Sequence, residues 1–370
     1  MGFKQSIIIF LKKDDRQFSS IFNLSFVIAI LITLFLVLSL LIIEFNYELM
    51  VENLGFKIII ILILYFSTEL LVSYLSSSVL GLNFYKFYPL IFSFNSIIHI
   101  AFLLVLLFYS TINLQNALIV LLLKNLLVLF FIIVKVRGLL NFKINLEWDL
   151  YFKMVKDGFI YSLALLLLSL IYNSDIIILK LFTIDANDFG VYALTSKIIH
   201  GLCILPQSIG TIFFSLSLKK NHAIGLTSKI IISKVFFYIF ILSLIILYFL
   251  LPGIIDAVLG SAYQKTFDIF LLLMPGVCGL FIIKTLYPDL AGQGQVKPFI
   301  FTFFLISVFQ LILNLILISK YSVNGCAIAC SISYLILAIL ILKKYLVINK
   351  LKLSQLTVLT FNDIKSICYN

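Results

Sequence analysis

Charge is what this sequence has least of. Only 12% of its 370 residues are Asp, Glu, Lys or Arg, against about 25% in soluble proteins. No polar stretch reaches the length of a domain, which excludes a soluble core of any size. Histidine is scarce as well: His99, His200 and His222 lie far apart, with no HExxH-like spacing for a zinc hydrolase. Of the five cysteines (Cys203, Cys278, Cys326, Cys330, Cys368), none forms a CxxC pair, so neither a metal site nor a disulfide frame is expected. The first apolar run does not end in a small-residue cleavage site and is not read as a signal peptide. The opening MGFKQS fits a myristoylation pattern, which in a polytopic chain is read as chance.

What is abundant is apolar surface. Hydrophobic residues make up 63% of the chain, and mean hydropathy is +1.20. The apolar runs are long enough for helices of about 20 residues and too long for barrel strands of about 10. The expectation is an all-α, polytopic membrane protein of about ten transmembrane helices, near 21–43, 57–79, 89–111, 115–135, 158–179, 189–214, 231–252, 267–290, 298–319 and 323–343. The longest interruption, 136–157, is basic, holds the only tryptophan (Trp148), and reads as an interfacial amphipathic helix. It divides the chain into an N-terminal bundle of about four helices (1–137), a basic cytoplasmic linker (138–157), a C-terminal bundle of about six (158–345) and a cytoplasmic tail (346–370).

The net charge of +11 points to topology and not to nucleic acid, because the basic residues sit in short loops between spans. With the N-terminus inside, 20 of the 27 Lys and Arg face the cytoplasm, 4 face out, and 3 lie within spans. Both termini are therefore expected in the cytoplasm. Tyrosines near span ends (Tyr47, Tyr88, Tyr109, Tyr321, Tyr345) fit an interfacial belt. Pro206, Pro275 and Pro288 break or bend spans, and Gly276, Gly279, Gly325 and Ala329 offer close helix packing.

Charge at membrane depth is costly and usually faces a bundle interior or an aqueous path. By helical rise, Lys197 lies about 12 Å into the sixth span and Lys124 about 13 Å into the fourth, each from its outer end. Lys284 lies nearer the cytoplasm and can snorkel. For Lys124 the alternative to a binding role is an interhelical bond or a long snorkel. Asp175 can pair with Lys197 across adjacent helices or bind a coupling proton or cation. Glu69 sits in a stripe with Ser67, Thr68, Ser73 and Ser76, either water-lined or a protonated buried acid. His200 follows Lys197 by three residues and shares its helix face, though a lone histidine is often just a satisfied core residue. Gln207, Gln310 and Asn314 read as interhelical hydrogen-bonding groups.

Four stretches carry a resemblance: DIIILKLFTIDANDFGVYALTSKI, VLGSAYQKTFDIFLLLMPG, LAGQGQVKPF and LNLILISKYSVNGCAIACSISY. Together and in this order they resemble the polysaccharide-transport branch of the multidrug/oligosaccharidyl-lipid/polysaccharide exporter superfamily, the O-antigen and repeat-unit flippases. The first 140 residues match by layout only, through LKKDDRQFSSIFNLS and LSSSVLGLNFYKFYPLI. The spans here then correspond to the family's third to twelfth, and its first two helices have no counterpart. The resemblance implies two bundles around a central cavity that alternates its access. It implies an undecaprenyl-pyrophosphate-linked oligosaccharide as load, with polysaccharide-assembly machinery nearby, and a proton or sodium gradient as drive with no cofactor. A pyrophosphate headgroup needs cationic partners at depth, which would make Lys197, Lys124 and His200 the substrate-binding candidates and Asp175 and Glu69 the coupling or pairing candidates. A drug/cation antiporter of the same fold would favour acids over lysines. An inactive remnant is the reading if the missing helices are essential. A membrane-embedded enzyme would need a long polar outer loop with clustered Arg, His or Asp, and none is present.

Overall fold

The computed structural model describes residues 2–13, 18–47, 56–82, 84, 87–109, 113–137, 148–182, 185–218, 225–258, 260 and 263–357. Every element among them is a helix: α1 (Gly2–Lys13), α2 (Phe18–Tyr47), α3 (Phe56–Gly81), α4 (Phe87–Tyr109), α5 (Leu114–Val136), α6 (Trp148–Leu181), α7 (Ala186–Leu202), α8 (Ile204–Ser217), α9 (Leu226–Val258), α10 (Lys265–Gly292), α11 (Lys297–Asn349) and α12 (Leu353–Thr357). The reason is the solvent: in hydrocarbon each backbone N–H and C=O must be satisfied within its own segment, and helices do this. Seven described helices are long and apolar enough to cross a membrane, or eight if α7 and α8 count as one bent span. The molecule is an all-α, polytopic membrane protein.

Three features refine the expected spans. The sixth is broken: α7 and α8 meet at Cys203 with a bend of 43°. Pro206 lies in the first turn of α8, where a missing N–H is tolerated but the incoming helix cannot run straight through. The ninth and tenth spans are fused into α11, which runs through Ser322 with φ 51° and ψ −134°. Gln310 Nε2 nevertheless lies 3.3 Å from Cys330 Sγ, while twenty helical residues would span about 30 Å. The segment therefore doubles back at Ser322 into two antiparallel limbs, 297–321 and 323–349. Finally, residues 148–157 are no separate interfacial helix but the first turns of α6, continuous with the span. Trp148, Phe152 and Phe159 are exposed on one side, and Tyr151 and Met154 are buried on the other. Residues 138–147 of the expected linker lie outside those described.

The chain divides into two compact units, Met1–Tyr161 and Ser162–Asn370. In the first, α3 packs against α1, α2 and α5. Helix α1 is a surprise: GFKQSIIIFLKK is too short to read as a span, yet Ile7, Ile8, Phe10 and Leu11 are buried. Ser6 Oγ donates to the Met154 carbonyl at 2.8 Å, and Phe3 meets Tyr74 edge-on at 5.3 Å.

In the second unit α10 is the hub, touching α7, α8, α9 and α11. Lipid tails are as apolar as leucine, so close contact rather than water exclusion holds such helices together. The small residues provide that contact: a methyl on Gly276 would sit 2.6 Å from the Ser331 Cα, and one on Gly210 would collide with the Lys284 carbonyl oxygen. Helix α6 joins the same bundle through Gln310 Nε2, which donates to the Ile171 carbonyl at 2.9 Å.

Candidate functional site

Helix α6 carries Asp175 into the second unit, where it is only 2% exposed. Its carboxylate accepts from the Tyr192 hydroxyl of α7 at 2.5 Å and from its neighbour's backbone N–H, Ile176, at 2.9 Å. The Cys330 thiol of α11 donates to it at 3.7 Å. The expected pairing with Lys197 is not formed. Tyr192 and Lys197 are five residues apart, about 140° around the helix, so the face that brings Tyr192 to Asp175 turns Lys197 away. Lys197 is exposed.

Lys197 instead belongs to a basic cluster with His200, which is half-buried and lies within electrostatic range of both Lys284 and Lys197. Lys284 of α10 does more than snorkel. Its ammonium donates to Gln207 Oε1 of α8 at 3.3 Å and lies 5.0 Å from the centre of the Tyr172 ring of α6, a cation–π contact. Ion pairs among the described residues include Lys229–Asp289 and Lys265–Asp188. Neither Lys197 nor Lys284 is neutralised by a carboxylate there. Gln207 reaches Lys284 from the first turns of α8, just beyond the bend at Cys203 and seven residues after His200.

A second buried acid escaped the sequence reading. Asp289 is fully buried near the end of α10 and pairs with Lys229 of α9 at 2.8 Å. Tyr345 of α11 donates to it at 3.0 Å and Gln293 at 3.2 Å. Ser217 of α8 also donates to it, and Lys229 to Ser217. One carboxylate thus ties four helices together at one end of this unit. YPDLAGQG reads as a span ending in a turn, and Lys229 reads as a loop lysine, so neither stood out.

In the first unit Lys124 is buried on α5, 7% exposed, beside Asn125, whose Nδ2 donates to Thr68 Oγ1 of α3 at 3.3 Å. His99 of α4 lies in its electrostatic field. Glu69 is half-buried, and its electrostatic neighbours are Lys4 of α1 and Tyr65. Of its polar stripe, Ser67 Oγ meets Thr33 Oγ1 of α2 at 3.0 Å, and Ser73 and Ser76 are buried. Lys124 and Glu69 belong to one unit, Lys197, His200 and Asp175 to the other.

Cys326 and Cys330, with a C-x3-C spacing, place their sulfurs with an Asp175 oxygen inside a cluster 4.8 Å across. The sequence signal was a helical i, i+4 pair and not the CxxC pattern of a ribbon or turn.

No protein-family model and no curated protein sequence matches the chain. Solved structures do. A MOP superfamily transporter from Pyrococcus furiosus, described as having a binding pocket of reverse polarity that suggests a different function, superposes with TM-score 0.72 at 13% identity, covering 96% of this chain and 84% of that one. A multidrug resistance MATE family transporter in its outward-facing conformation gives 0.68 at 13% identity, over 95% and 84%. The Vibrio cholerae MATE transporter in its bent form gives 0.63 at 14%, over 93% and 84%. The chain has the fold of the MATE transporters of the MOP superfamily.

Proposed function

We propose that this protein is a transporter of the bacterial inner membrane, with both termini cytoplasmic. It flips undecaprenyl-pyrophosphate-linked oligosaccharide units from the inner to the outer leaflet for surface polysaccharide synthesis, alongside the polysaccharide-assembly machinery. The observation that carries this reading is the basic cluster of Lys197, His200 and Lys284, carried on helices apolar enough to cross a membrane and without an ion-paired carboxylate among the described residues. An ammonium at that depth needs water or an anion, and a pyrophosphate is an anion able to bridge two lysines. Gln207 and Tyr172 hold Lys284 in place as a fixed donor. Lys124 is the corresponding cation of the first unit. No covalent chemistry is required, so no catalytic group is assigned. The superfamily resemblance of the four sequence stretches supports the same load.

The competing reading is a drug/cation antiporter, and one of the similar structures is a multidrug resistance MATE family transporter. Asp175 favours it: a buried acid with no cationic partner among the described residues suits a coupling proton or sodium ion. The two readings separate at the lysines. In a strain lacking its own flippase, the full chain should restore surface polysaccharide, and Lys197→Ala or Lys284→Ala should abolish it at equal membrane protein level. Lys197→Arg should keep part of the activity, since charge survives while geometry changes. Wild-type polymer from both alanine variants would overturn the flippase reading, and drug resistance conferred by the same chain would establish the antiporter.

A further inference from the structure

The surroundings of Asp175 hold more polar capacity than they use. Cys326 and Cys330 are fully buried at 0% exposure. One turn apart on the second limb of α11, they project from one face of it. Across the hairpin, Gln310 brings its amide nitrogen to 3.3 Å from Cys330 Sγ, but its own carbonyl oxygen has no partner. The antiparallel register that sets 310 against 330 sets 314 against 326. Asn314, also at 0% exposure, has no partner for either end of its amide. Buried groups of this kind ordinarily find a protein atom, a water or an ion.

We infer that Asp175, Cys326 and Cys330 form a binding site for one thiophilic divalent metal ion of the zinc type, clamping α6 to the second limb of α11. The donor set selects the metal. Two soft sulfurs favour zinc-like ions over hard cations, which take all-oxygen sites. In a tetrahedral zinc site, with bonds of about 2.3 Å to sulfur and about 2.1 Å to oxygen, the ligand atoms lie roughly 3.4–3.8 Å apart. The present spread of up to 4.8 Å closes to that by small side-chain rotations. Asp175 Oδ2, 3.7 Å from Cys330 Sγ, is the oxygen that faces the thiols, and the carboxylate is held in place by Tyr192 at 2.5 Å and by the Ile176 N–H on Oδ1 at 2.9 Å. An outer hydrogen bond that orients a ligating carboxylate is a recurrent feature of metal centres. The buried Gln310 oxygen, without a partner on the amide whose nitrogen reaches Cys330, is available for a fourth position. On binding, the two S–H bonds break, the thiolates bond to the metal, and two protons leave to solvent.

The inference is independent of what the chain transports, and the test reads the metal itself. The purified full chain in detergent is titrated with Co²⁺ and then Zn²⁺. Expected are thiolate-to-cobalt charge-transfer absorption, tetrahedral visible bands, saturation at one ion per chain, and bleaching by Zn²⁺. Cys326→Ser and Cys330→Ser, singly and together, should lose the charge-transfer band, while Cys203→Ser and Cys278→Ser keep it. Asp175→Asn should weaken cobalt binding at least tenfold. Because the double variant can fail to fold, the wild type is also melted with and without Zn²⁺, and a rise in melting temperature is expected. No charge-transfer band in the wild type, a band that survives loss of both thiols, or a melting temperature unmoved by Zn²⁺ would overturn the assignment.

Discussion

The second unit buries two carboxylates and treats them oppositely. Asp289 has a lysine at 2.8 Å and further donors from Ser217, Tyr345 and Gln293. Asp175 has a phenol, one backbone N–H and a thiol, and no cation among the described residues. The first has its charge matched within the protein, with partners drawn from three other helices and from Gln293 just past the end of its own. The second is held by neutral donors alone among the described residues.

The largest expected effect breaks the charge-matched site. Asp289→Ala leaves the Lys229 ammonium buried and unpaired, which costs about 3–5 kcal/mol. Thermal melting in detergent should show it, and a melting temperature within a degree of wild type would mean that Asp289 is not the tie described. Lys229→Met with Asp289→Leu should recover much of the loss, because the isolated charge and not the missing pair is the main penalty.

Next in size is the packing that sets the distance between α10 and the second limb of α11. Gly276→Ala puts a methyl 2.6 Å from the Ser331 Cα, and such overpacking costs about 1–3 kcal/mol. It also strains the 2.9 Å bond from the Gly276 N–H to Ser331 Oγ. The loss should appear as a lower melting temperature, and Ser331→Ala, which removes the hydroxyl but not the Cα, should not rescue it.

The smallest effect on stability belongs to Asp175→Asn. The amide keeps the shape and still accepts from Tyr192, so the change should stay near the net worth of one hydrogen bond, about 1 kcal/mol. Transport should nonetheless fall if Asp175 couples it to an ion gradient. A variant that melts like wild type and transports like wild type would remove Asp175 from the mechanism. A variant as unstable as Asp289→Ala would show that the two acids are not treated differently after all.

Much of this was legible in the sequence. Each apolar run became a helix because the bilayer leaves the backbone no alternative. The break near 320 was visible in KYSVNG, and the bend of the sixth span in Pro206. Asp175 and Lys197 stood out because charge is rare at depth. Their relation did not, because partner choice depends on which helix face turns inward: the sequence offers both Tyr192 and Lys197, and only packing selects Tyr192. Asp289 and Lys229 were missed since hydropathy cannot tell a loop end from a buried helix end. Helix α1 was missed because its twelve residues earn their place from neighbours such as Tyr74 and Met154 rather than from length.

The reversal at Ser322 also sets the parity of the chain. Run straight, the 53 residues of α11 would reach about 80 Å, far more than a bilayer of about 30 Å. Folded back through a single non-helical residue, the segment contributes two crossings and no net change of side. Lys297 at its start and Lys343, Lys344 and Lys350 at its end then emerge into the same compartment, as the bias of basic residues toward one side demands.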